Sequence, residues 1–167
     1  GKYYLKQIEP SFGYLPDDNE YEFNLEYKGQ EIEKLDENIE IQAKVAIFDM
    51  QIQKWTDKVI ITEEGKQKIK PTNIEPDKEI DKIIKVDLND DRIENSSIKF
   101  SYKIRVTNVG ELAGNVTQIT DTVPKGLKFI QEENKNWKQE DNKLVTDELK
   151  DIILQPGESA EINLVLK

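Results

Sequence analysis

The chain has 167 residues, with 24 Lys and Arg against 34 Asp and Glu, no His and no Cys, and a formal net charge of −10. That carboxylate excess repels nucleic-acid phosphate and an anionic membrane surface alike, so no nucleic-acid partner is expected. Without imidazole or thiol there is no Ser-His-Asp triad, no Cys or His nucleophile and no Cys/His zinc site, which leaves only carboxylate or lysine chemistry.

The length suits one domain, or one domain with part of another. No apolar run approaches the roughly 18 residues of a membrane span, so no membrane insertion is expected in this segment. No leader opens the chain, and an export signal or anchor would lie outside this sequence.

Period-two alternation dominates. Strands are expected around 2–9, 20–28 and 38–43, and "EYEFNLEYK" sets Tyr21, Phe23, Leu25 and Tyr27 on one face. "FDMQIQKW" then puts Phe48, Met50 and Ile52 on a face whose next position is Lys54. The charged stretch Thr62 to Lys82, with Pro71 and Pro76, reads as an exposed loop or a long hairpin tip. "EPDKEIDKII" and "VTDELKDIIL" are ambiguous between a turn and a short helix. "KFSYKIRVTN" alternates Phe100, Tyr102, Ile104 and Val106, and "AEINLVLK" alternates Ile162, Leu164 and Leu166. Turn signals such as "PDDN", "EEGK", "VPKG" and "QPGE" separate the strands. Short strands at this spacing predict an all-β fold, with a boundary near residues 43 to 47.

The pieces "YYLKQIEP", "GYLPDD" and "YEFNLEY" of the first segment resemble the C-terminal half of a prealbumin-like module, the collagen-adhesin B-type repeat of Gram-positive surface proteins. In that family a Glu in a "YxLKE" pattern catalyses an isopeptide bond between a first-strand Lys and a last-strand Asn. Here Gln7 stands at the Glu position and Gln42 near the Asn position, and the first-strand Lys is not in the chain. No bond is therefore expected in this segment, which reads as truncated at its start.

"FDMQIQKW", "YKIRVTNVGELAGNVTQITDTVPKGLKF" and "LQPGESAEINLVLK" resemble the conserved repeat module of large clostridial and related Firmicutes surface proteins. The resemblance implies an immunoglobulin-like β-sandwich over 45–167, preceded by a partial prealbumin-like β-sandwich over 1–44, and a further strand beyond the last residue. It also implies a location at the cell wall and no enzymatic activity or cofactor. Two roles follow from it: a structural stalk module beside other modules of the same chain, or an adhesin domain recognising a host protein or glycan through loops such as 62–82 and 131–148. A third role is that of an accessory module of an exported enzyme.

An unpaired buried ammonium is costly, so Lys54 has three readings. It sits at a strand end and reaches water, it forms a buried salt bridge, or it attacks an Asn or Asp side chain to form an isopeptide bond. The third needs a neighbouring carboxyl held neutral by burial. Asp121, in phase with Ile119 and Val123, is the candidate, with a turn cap before "VPKG" as its alternative. Asn163 is the acceptor candidate, though it lies out of phase with Ile162 and Leu164, or else the acceptor lies past Lys167.

Asp87, Asn89 and Asp91 have the alternate spacing of a calcium loop, but Arg92 replaces the turn glycine and no Glu stands twelfth, so a solvated turn is the competing reading. Asn108 and Gly110 are expected in a turn needing positive φ. Asn115 opens an Asn-Val-Thr sequon, and Trp55 and Trp137 read as sugar-stacking or packing residues.

Overall fold

The computed structural model describes residues 1–30, 38–72, 85–86 and 94–167. Among these the regular structure is strand, interrupted by short 3-10 turns such as Gln131–Glu133, with no α-helix. The strands are β1 (Lys2–Lys6), β2 (Glu20–Asn24), β3 (Met50–Glu63), β4 (Lys66–Pro71), β5 (Ser96–Asn108), β6 (Ile119–Thr122), β7 (Lys138–Glu140), β8 (Lys143–Thr146) and β9 (Ser159–Leu166). They form three antiparallel sheets in the orders β1-β2, β4-β3-β5-β9 and β6-β8-β7.

In the first sheet Tyr3 lies opposite Phe23 and Leu5 opposite Tyr21, so the alternation collects the apolar residues on one face. The rings of Tyr3 and Phe23 stack at 5.6 Å. The other face carries the ion pairs Lys2–Glu22 at 2.8 Å and Lys6–Glu20 at 3.4 Å. The strand expected at 38–43 does not form. Alternation needs a neighbouring edge to become a ladder, and the chain meets one only from Lys44, whose carbonyl accepts Leu15 N–H at 2.8 Å.

Strand β3 runs past "FDMQIQKW" to Glu63, so Lys54 is interior to the strand and not at its end. The register with β5 slips between Thr56 and Lys58, where Asp57 is the extra residue of a bulge. Before it Met50, Ile52, Lys54 and Thr56 lie opposite Asn108, Val106, Ile104 and Tyr102; after it Val59 and Ile61 take over that face opposite Phe100 and Ile98. A two-residue turn, Glu64 and Gly65 with φ of 48° and 78°, joins β3 to β4. The hairpin reading of Thr62 onward thus holds to Pro71, while 73–84, with all of "EPDKEIDKII", lie outside the described residues.

The four- and three-stranded sheets share one core. Ile104 and Val106 of β5 and Ile162, Leu164 and Leu166 of β9 pack with Ile119 of β6, Leu144 of β8 and the loop residues Trp137, Leu149 and Leu154. Each such side chain contributes about 1.5–3 kcal/mol by leaving water. "VTDELKDIIL" ends β8 and then makes two successive turns, Lys150 N–H to Asp147 O and Ile152 N–H to Leu149 O, before Leu154 bridges Gly114.

The free edge of β9 is covered by the loop after β6. Lys128 and Lys167 exchange both backbone bonds at 2.6 and 2.9 Å. The buried Asn134 amide accepts from Val165 N–H and donates to Val165 O, both at 2.8 Å, and Trp137 Nε1–H donates to Asn163 O at 2.8 Å. An edge satisfied in this way cannot recruit another strand.

Candidate functional site

Lys54 sits on the inward face of β3, in register with Ile104 of β5 and, through it, Ile162 of β9. Strand β4 pairs with β3 only from Lys58 onward, so among the described residues no strand ladders against Met50 to Thr56 on that side. In the facing sheet β6 is likewise an edge strand, and its Asp121 lies opposite the buried Leu144 of β8. The two edges meet, and the Lys54 ammonium donates to Asp121 Oδ2. The lysine and aspartate side chains are 29% and 16% exposed, intermediate between a surface pair and a buried one.

The other carboxylate oxygen, Oδ1, accepts Thr122 N–H at 2.8 Å. That bond is to its own neighbour within β6, so the structure shows Asp121 in the ion pair and not capping the turn before Pro124. The ammonium also stands 4.5 Å from the ring centroid of Tyr102, a cation–π contact. Burial, and then the Asp121 charge, hold the Tyr102 hydroxyl above its ordinary pKa, against a hydrogen bond from Thr56 that lowers it. A cleft of about 180 Å³ opens beside the pair, lined by Ile52, Gln53, Lys54, Ile104, Ile119, Thr120 and Asp121.

Asn163 is not brought to this site. It pairs in register with Lys103 on the outward face of the sheet, while its neighbours Ile162 and Leu164 point into the core. The odd phase visible in the sequence is the reason. Asp87, Asn89 and Asp91 lie outside the described residues, and among the described residues no group of three or more acidic side chains is placed to hold a metal ion. The described residues also contain no helix long and apolar enough to cross a membrane.

Replacing Asp121 with Ala is expected to cost roughly 1–3 kcal/mol, because it strands the ammonium on an inward-facing position. The paired replacement Lys54→Met with Asp121→Leu is expected to return to within about 1 kcal/mol of the native chain, since a well-packed apolar pair substitutes for the ion pair without its desolvation cost. Urea midpoints of the two singles and the double measure this. A double variant as unstable as the sum of the singles would contradict it.

Outward on the same sheet, Glu161 accepts Arg105 Nε–H and Nη2–H on Oε1 at 2.9 and 2.7 Å, and Lys103 Nζ on Oε2 at 3.1 Å. Arg105 also lies 5.1 Å from the Trp55 ring. Arg105 and then Lys103 hold the Glu161 carboxyl below its ordinary pKa. A depressed carboxyl contributes stability above its unfolded pKa and loses it as pH falls through the folded one. Side-chain NMR is expected to show Glu161 titrating below ordinary Glu, and Arg105→Gln to raise it.

Neither Asn108 nor Gly110 has positive φ, contrary to the turn expectation. Asn108 is a fully buried amide in line with the inward residues of β5. Its Nδ2 donates to Leu112 O at 2.7 Å and Leu154 O at 2.9 Å, and its Oδ1 accepts Gly110 N–H at 3.0 Å. The phase signal that singled out Lys54 was equally present here, because Asn108 continues Tyr102, Ile104 and Val106 by steps of two. Tyr102 was legible only as a core residue, since its place beneath Lys54 depends on the β3–β5 register. Trp137 is buried and Trp55 half-buried, and Asn115 donates to Lys150 O. Comparison of the chain with protein-family models, curated proteins and solved structures gives no match.

Proposed function

We propose that the chain is a non-enzymatic spacer of a Gram-positive cell-wall surface protein, an immunoglobulin-like β-sandwich preceded by part of a prealbumin-like one. One observation carries this reading. Strands β3 and β9 are both antiparallel to β5 and flank it, so they run parallel to each other. Met50, where β3 begins, lies beside Asn108, and Leu166, where β9 ends, lies beside Phe100, eight residues back along β5. Tension entering before β3 and leaving after β9 slides the strands past one another. All the bonds of the β3–β5 and β5–β9 ladders then bear load together, whereas peeling breaks them one by one.

The Lys54–Asp121 pair adds a tie between the two sheets. A covalent version would move Asp121 from the expected acid to the acceptor, joining Lys54 Nζ to its carboxyl carbon and releasing one water, because the expected acceptor Asn163 faces the other way. Intact mass one water below the sequence value marks that bond, and an unshifted mass leaves the ion pair. A second reading, an adhesin domain for a host protein or glycan, is favoured by Ile8 and Phe12, which are fully exposed between β1 and β2. Saturable binding lost on Phe12→Ser would establish it. The spacer reading itself is tested by single-molecule pulling through the chain ends, which is expected to give one high-force unfolding event for the β3–β5–β9 block.

A further inference from the structure

Two lengths of chain meet where Tyr14 bridges Val45, with Leu15 N–H donating to Lys44 O at 2.8 Å and Ala46 N–H to Gly13 O at 2.9 Å. Beyond this vertex they part. The next rung would carry Asp17 N–H to Gln42 O, but that N–H donates instead to Gln7 Oε1 at 2.7 Å. Between the two arms lies a cleft of about 360 Å³, whose apolar lining is Leu5, Leu15, Tyr21, Ile41 and Ala43.

Among the described residues, the backbone of residues 38–43 makes no hydrogen bond. Ile41 and Ala43 both line the cleft, as alternate residues of an extended chain do. Backbone groups alternate in direction along such a chain, so those of Gln42 and Glu40 point to the side on which Lys44 bonds Leu15. An alternating strand without a ladder thus borders an apolar space. Carboxylates stand on both arms, Asp17, Asp18 and Glu20 on one and Glu40 on the other, and the Tyr21 hydroxyl and Asn19 N–H bond the carboxylate of Asp17. Of the lysines beside them, Lys6 is already paired with Glu20 at 3.4 Å.

From this we infer that the cleft takes one strand of a partner protein, an extended segment with apolar side chains at alternate positions and Lys or Arg between them. Its backbone ladders on residues 39–42, its apolar side chains enter against Leu15, Tyr21 and Ile41, and its cations meet the carboxylates of the arms. A second copy of this chain is the poorer occupant, because each copy carries a net charge of −10. The inference goes beyond the spacer reading and fails separately from it, because the resistance to pulling resides in β3, β5 and β9.

The test titrates an acetylated and amidated Lys-Val-Lys-Val-Lys-Val-Lys peptide into the ¹⁵N-labelled native chain, with the Glu-for-Lys version as control. Saturable amide shifts are expected at Leu5, Leu15, Tyr21, Glu40 and Gln42, with slowed exchange at Glu40 and Gln42 and weaker binding at high salt. Gln42→Pro removes an N–H that no described residue accepts, so the chain keeps its fold and loses only the rung. Ala43→Trp fills the cleft from an exposed position. Each is expected to weaken binding about tenfold, a loss of about 1.4 kcal/mol, while Ile69→Ser on the exposed β4 leaves it unchanged. No saturable shift would overturn the inference, as would equal binding of the Glu-Val peptide or unchanged affinity in both cleft variants. Concentration-dependent shifts at the same amides without peptide would make a second copy the occupant, and would overturn it too.

Discussion

Trp137→Ala is expected to lower stability by about 3–5 kcal/mol, the range for emptying an aromatic site in a packed core. The indole is among the largest fully buried side chains and packs into the cluster joining the two facing sheets. Its Nε1–H also satisfies Asn163 O on the outer edge of β9. Trp137→Phe separates the two contributions: it keeps most of the ring, and the lost bond itself is worth about 0.5–1.5 kcal/mol. Urea unfolding of the three proteins measures the difference. A cost below about 1 kcal/mol for Trp137→Ala would mean that the loop after β6 is not part of the core.

Asn108→Ala is expected to cost roughly 2–3 kcal/mol, mostly from one orphaned carbonyl. Leu154 O keeps Gly114 N–H, and Gly110 N–H keeps Asp49 O, but Leu112 O loses its donor once the Asn108 amide is gone. Asn108→Asp gives the pH dependence. It replaces the donor that faces Leu112 O and Leu154 O with carboxylate oxygen, so the folded state favours the neutral acid and its pKa is raised. A raised acid is least destabilising below its unfolded value of about 3.9, and the penalty grows as pH rises toward neutrality. Thermal unfolding of Asn108→Asp at acid and neutral pH, each against the native chain, is expected to show the larger deficit at neutral pH.

Much of the second half of the fold was legible because its strands are long, half-buried and strictly alternating. Phe100 to Val106 and Ile162 to Leu166 fall where the pattern puts them. The same arithmetic found Lys54 and Asp121, since each is a charged residue standing where an apolar one is due. It could not find the bulge at Asp57, which moves the inward face from even to odd residues, because no residue type marks it. Nor could alternation alone decide that 38–43 stays without a ladder, since a strand exists only when an edge is near enough to pair with. Asn163 shows the reverse case. It was chosen for its chemistry against its phase, and the phase decided its position.

The central claim is that the terminal strands of the β3–β5–β9 block are loaded in shear, and pulling geometry tests it directly. Gln51 and Ser159 are exposed and lie in one rank across β3, β5 and β9, with Thr107 between them. A chain pulled through Gln51→Cys and Ser159→Cys opens from one end of the sheet, bond by bond. The same chain pulled through its two ends must break the ladders together. Forced unfolding reports the unfolding barrier along the pulling direction. A several-fold higher unfolding force is expected for end-to-end pulling than for the Gln51–Ser159 direction. Equal forces in the two directions, or a lower force end to end, would contradict it.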